Sequence, residues 1–158
     1  MADGHMLVEV LRGETEIYRV LLDLAIKKTD IIIAGQIKEL DEILQMEKQL
    51  IKHLMDLEEQ REEILGNIDK QGRMTLNDLM EIVSLEEAEN LKSIKHNLSL
   101  ILEELEERNK LNTALIEQAL EYVNYSINVI STVLESDGGI YGDKGSIKKP
   151  LNLIDKKA

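Results

Sequence analysis

The chain has 158 residues, enough for one domain, and a net charge of −12. That charge disfavours nucleic acid and anionic membrane surfaces as partners. Phe, Trp and Cys are absent and proline occurs once, which excludes disulfides and thiolate metal sites and points to an aliphatic, all-helical core.

The opening Met1-Ala-Asp-Gly-His-Met6 has the look of a cloning remnant over residues 1–5, with the natural chain starting at Met6. A first helix is expected from about Leu7 to Ile33. Leu7, Val10, Ile17, Leu21, Leu24 and Ile31 recur at three- and four-residue spacing. Glu9, Arg12 and Glu14 interrupt any signal-peptide core. Gly35 marks the first break.

The second helix spans about Ile37 to Ile68. Ile37, Leu44, Ile51 and Leu65 form one heptad series, and Ile43, Leu50, Leu57 and Ile64 a second. Leu40, Leu54 and Ile68 form a third. This stripe is wider than a dimer seam and favours a bundle. Glu47 and Arg61 fall in the third series, at core-type positions. Arg61 reads as a buried structural arginine paired with a glutamate such as Glu47, or with one from the long helix. The alternative is a partner contact.

A polar connection is expected from Asn67 to Met74. Thr75 and Asp78 then have the spacing of a capping box for a short helix, and Ser84 suits the cap of the next. From Leu85 to Glu135 there is neither proline nor glycine. A helix of that length runs for about 75 Å, more than a small core needs. Its apolar pattern is strong from Leu91 to Leu105, turns polar at Arg108, Asn109 and Asn112, and resumes at Leu115. Glu47, Arg61, Arg108 and Asn109 are therefore the expected structural polar layer, with Asn112 covered by the same logic.

Beyond the polar positions, Leu115, Ile116, Ala119, Leu120, Val123, Ile127 and Ile130 continue the stripe, with Tyr122 and Tyr125 beside it. Two readings stand for the tyrosines: they finish the core, or they belong to a binding surface. Helices of about thirty residues cannot cover one of fifty, so part of this stripe awaits a second copy or a partner. After Glu135 the composition changes. Residues 136–158 hold five lysines and three aspartates, a balance of +2, which leaves −14 for the rest. Four glycines and Pro150 mark 136–158 as a flexible tail.

Catalytic signals are nearly absent. His53 and His96 lack the Glu-x-x-His partner of a di-metal carboxylate bundle, and no P-loop or His-Glu-x-x-His is present. No catalytic residue, metal ligand or cofactor is expected. No apolar run reaches the ~18–20 residues of a membrane span. A cytoplasmic location follows as the expectation.

The order of elements resembles the FlgN-type flagellar export chaperones. The resemblance covers most of the chain. It is carried by Glu14-x-x-Ile17-Tyr18-x-x-Leu21-Leu22-x-Leu24-Ala25, then by Gly35-Gln36-Ile37-x-x-Leu40-x-x-Ile43-x-x-x-Glu47 and Leu57-x-x-x-Arg61. Its strongest stretch is Asn109-x-x-Asn112-x-x-Leu115-Ile116-x-x-x-Leu120-x-Tyr122-Val123, and Ile140-Tyr141-Gly142-Asp143-Lys144-Gly145 closes it. The resemblance implies a cytoplasmic chaperone without ATPase activity. It would bind the hook-associated proteins FlgK and FlgL, prevent their premature association and deliver them to the flagellar type III export apparatus. It further implies client binding through the C-terminal part: Asn112, Leu115, Ile116, Ala119, Leu120, Tyr122, Val123, Ile127 and Ile130 by position.

The expected architecture is an elongated antiparallel bundle of three or four helices over residues 6–135, with one very long C-terminal helix. The competing function is a coiled-coil scaffold that homo-oligomerises through the same stripe.

Overall fold

The structure is a computed structural model that describes residues 2–69 and 75–141. Among the described residues there are four helices: α1 (Ala2–Ala34), α2 (Ile37–Ile68), α3 (Leu76–Ile82) and α4 (Leu85–Tyr141). The fold class is all-α. The chain divides into two compact units, Met1–Asn112 and Thr113–Ala158.

In the first unit α1 and α2 form a tight helical hairpin. Gly35 takes φ +69, the left-handed conformation that reverses a helix with least strain in glycine. Its N–H donates to the Ile32 carbonyl at 3.1 Å, and the Gln36 N–H donates to that of Ile31 at 3.1 Å. These bonds satisfy carbonyls that the end of α1 would otherwise strand. The register is visible in the ion pairs. Glu14 meets Arg61 and Lys28 meets Glu47. Moving forward along α1 thus moves backward along α2, as antiparallel packing demands.

α4 runs the other way relative to α2. Leu7 and Leu91 share one core cluster, and Thr29 bonds Asn112 far along both helices. α1 and α4 are therefore parallel, and α2 with the short α3 returns the chain between them. The main core gathers Leu7, Val8 and Val10 of α1, Ile64 of α2, Leu79 and Val83 at α3, and Leu91 and Ile94 of α4. A second cluster joins Ile17 and Leu21 to Leu54, with Tyr18, Leu50 and Leu105 packed against it. Each fully buried leucine contributes about 1.5–3 kcal/mol of transfer free energy, so these heptad positions carry most of the driving force.

The starts of α3 and α4 are both capped. Thr75 Oγ1 accepts from the Asp78 N–H at 3.2 Å while Asp78 Oδ2 accepts from the Thr75 N–H at 3.0 Å. The Thr75 backbone N–H, and after it the Thr75 hydroxyl, hydrogen-bond the Asp78 carboxylate and hold it below its ordinary pKa. Ser84 and Glu87 repeat the device at α4, with bonds of 3.2 and 3.4 Å. Each pair satisfies two backbone N–H donors reciprocally at a helix start.

Two boundaries differ from expectation. α1 begins at Ala2 rather than Leu7, and its first turn is packed: Gly4 is buried beside Val83 and Glu87. α4 continues past Ser136 through Gly138 and Gly139 to Tyr141. A glycine costs a helix about 1 kcal/mol relative to alanine, but unlike proline it keeps its N–H and does not clash. The tail from residue 142, and the connection over 70–74, lie outside the described residues.

Candidate functional site

Three constellations hold the residues that the pattern singles out. The first is a polar pair inside the α1–α2 hairpin. Glu14 is 1% exposed, and its Oε2 accepts from Arg61 Nη1 at 3.2 Å. Its Oε1 is buried without a hydrogen-bond partner. Burial pushes the carboxyl above its ordinary pKa; Arg61 opposes the rise and Glu58 adds to it. Tyr18, one turn along α1, is likewise pushed up, first by burial and then by Glu58 and Glu14.

Glu47 is not the partner of Arg61. The two stand fourteen positions apart on one helix, roughly 21 Å along its axis, so no rotamer brings them together. Glu47 instead faces Lys28 of α1, with Nζ 2.9 Å from Oε1 in a largely buried ion pair. The heptad Leu7, Glu14, Leu21, Lys28 was the signal for both missed partners, since it puts Glu14 and Lys28 on the core face of α1.

The raised pKa of Glu14 has a testable sign. The folded-state pKa lies above the unfolded value of about 4.5. Ionised Glu14 therefore costs stability above its folded pKa. The cost fades as pH falls through that pKa and is gone below about 4.5. Denaturation curves of wild type and Glu14→Gln should converge or cross in favour of wild type as pH drops from 7 towards 4.5. Curves that stay parallel would contradict this assignment.

The second constellation closes the first unit. Asn112 is 3% exposed. Its Nδ2 donates to the Ala25 carbonyl at 2.9 Å, and its Oδ1 accepts from Thr29 Oγ1 at 2.6 Å. Arg108 Nη1 in turn donates to Thr29 Oγ1 at 3.3 Å. The clasp ties α4 to α1 with groups that must all pair, because an unmet buried donor or acceptor costs about 1–3 kcal/mol. Asn112 was expected on the partner-binding surface; both ends of its amide are used inside the unit. Asn109, expected in the polar layer, is exposed.

The third constellation is the apolar stripe of the second unit. No side chain from Thr113 to Ser136 is buried. Leu115, Leu120 and Ile127 are half-buried, while Ile116, Ala119, Tyr122, Val123 and Ile130 are exposed. Tyr122 is 72% and Tyr125 68% exposed, so neither tyrosine finishes a core within this unit. The stripe offers i, i+3, i+4 and i+7 anchors on a helix whose backbone is already satisfied.

Among the described residues no group of three or more His, Asp or Glu side chains is placed to hold a metal ion. No helix among them is long and apolar enough to cross a membrane.

Comparison with known proteins agrees with this helical arrangement. The family described as FlgN protein matches residues 1–149. A protein of Bacillus subtilis (strain 168), named "Uncharacterized protein YvyG", is 27% identical over 128 residues, covering 78% of each chain. No solved structure matches the chain. A family match over nearly the whole length, on four helices in this order, places the chain in the FlgN family of flagellar chaperones.

Proposed function

We propose that the protein is a cytoplasmic flagellar type III export chaperone. It binds the hook-associated proteins FlgK and FlgL, prevents their premature association and presents them to the export apparatus, without chemistry of its own. One observation supports the reading above others: residues 113–136 carry an apolar stripe with no buried side chain. Large apolar patches on a folded chain mark interaction sites. Leu115, Ile116, Ala119, Leu120, Tyr122, Val123, Ile127 and Ile130 are the proposed contacts for an amphipathic client helix.

A client that orders on docking loses chain entropy, which keeps binding reversible and suited to hand-over. The same stripe also suits a second copy, which is the reading of a homo-oligomeric scaffold. Light scattering with and without client segments separates the two. A monomer, or a dimer that dissociates on adding client, supports the chaperone. A stable dimer indifferent to client supports the scaffold.

A further inference from the structure

The apolar stripe of the second unit and the chain that follows α4 are complementary in charge and character. Residues 113–136 carry Glu117, Glu121 and Glu135 and no lysine or arginine, a charge of −3. Glu117 lies one helical turn from Leu120, and Glu121 one turn from Tyr125. Among the described residues none of the three carboxylates is ion-paired. Residues 142–158 belong to the same unit. They hold five lysines against Asp143 and Asp155, a charge of +3. Lys148-Lys149 and Lys156-Lys157 bracket Leu151, Leu153 and Ile154. An apolar stripe flanked by acid is thus followed, on its own chain, by an apolar cluster flanked by base.

The lengths also agree. Ile127 lies fourteen residues before Tyr141, about 21 Å along the helix, and Leu120 about 32 Å. Leu151 lies ten residues after Tyr141, a span of up to about 33 Å for extended chain, and Ile154 up to about 43 Å. A chain that folds back must reverse soon after Tyr141, and Gly142 and Gly145 admit the left-handed backbone a reversal uses. We propose that residues 147–154 dock on the stripe of their own molecule, between Leu115 and Ile130, and cover it until a client displaces them.

Two arguments favour this occupant over a second copy. A second stripe would set three glutamates against three, whereas the lysine pairs meet them with opposite charge. A segment tethered this closely also has an effective concentration on the order of millimolar, so a small apolar contact suffices. The displacement by client rests on the function proposed above; the intramolecular contact does not.

The chain has no cysteine, so Asn152→Cys in the full chain accepts a single nitroxide label. On a 15N-enriched molecule the label should broaden the amide resonances of residues 115–130. On a separate 14N copy mixed with unlabelled 15N chain it should not. Replacing Leu151, Leu153 and Ile154 by serine should remove most of the broadening, as should Lys148→Glu with Lys149→Glu. The serine variant, without the label, should bind a C-terminal segment of FlgK about threefold tighter than wild type, the gain expected when a competitor occupies the stripe about two-thirds of the time. Stripe amides that stay sharp would overturn the contact. So would broadening that survives the serine substitutions, which tethering alone would produce. Broadening between separate molecules would assign the stripe to a second copy and overturn it too. Equal affinity of wild type and serine variant for the segment would overturn the displacement. Absence of segment binding in both chains would overturn the displacement together with the proposed function, while the broadening would still establish the contact.

Discussion

Arg61→Ala should cost about 2–4 kcal/mol of stability at neutral pH. Breaking a buried pair from one side usually costs about 3–5 kcal/mol. The lower range applies because the Arg61 side chain is 34% exposed and partly solvated. The loss comes from Glu14, which keeps its carboxylate in the core with neither oxygen bonded. Removing the guanidinium also removes the opposing influence on a carboxyl already raised by burial, so its pKa rises further. The defect should therefore shrink as pH falls and Glu14 takes up its proton. Glu14→Gln placed in the same chain should recover a large part of the loss. Urea denaturation at pH 7 and pH 5 checks all three statements. A single variant within about 0.5 kcal/mol of wild type at both pH values would show that the pair is not structural.

Leu120→Glu combined with Val123→Glu should weaken client binding by about a thousandfold, with helicity unchanged. Each position is partly exposed in the free chain, so the charges cost the free protein little. At a docked interface each would bury an unpaired carboxylate or hold the client helix away. Two anchors at about 2 kcal/mol each reach roughly 4 kcal/mol, close to three powers of ten. Circular dichroism must match wild type. Glu117→Lys, on the exposed flank of the same helix, serves as a control that should change affinity far less.

The helices were legible because each carries its own local grammar. The break at Gly35 needed only one residue able to reverse the chain. Thr75 and Asp78 announced a helix start through a spacing that satisfies two N–H groups at once. The α2 limits follow from three heptad series that start and stop together. What local grammar does not contain is register between helices. Arg61 was readable as an arginine paired with a glutamate, but which glutamate depends on where α1 lies against α2, and that brought Glu14 rather than Glu47. Asn112 shows the same limit. Its spacing in the long helix fits both a clasp and a client surface, and only the approach of Ala25 and Thr29 decides for the clasp. At Gly138 and Gly139 local propensity pointed to an end, whereas hydrogen bonding along α4 carries the helix on to Tyr141. The stripe from Leu115 to Ile130 was visible as periodicity; its openness to solvent was not, because exposure depends on what the rest of the fold leaves uncovered.

The proposed chaperone function requires capture of a client helix by the stripe of the second unit. The most direct measurement is isothermal titration of the purified protein with the C-terminal segments of FlgK and FlgL from the same genome. Saturable binding is expected, with a negative heat-capacity change from apolar burial, and its loss in the Leu120→Glu, Val123→Glu protein. No heat of binding with either segment, or full affinity in the doubly substituted protein, would contradict it.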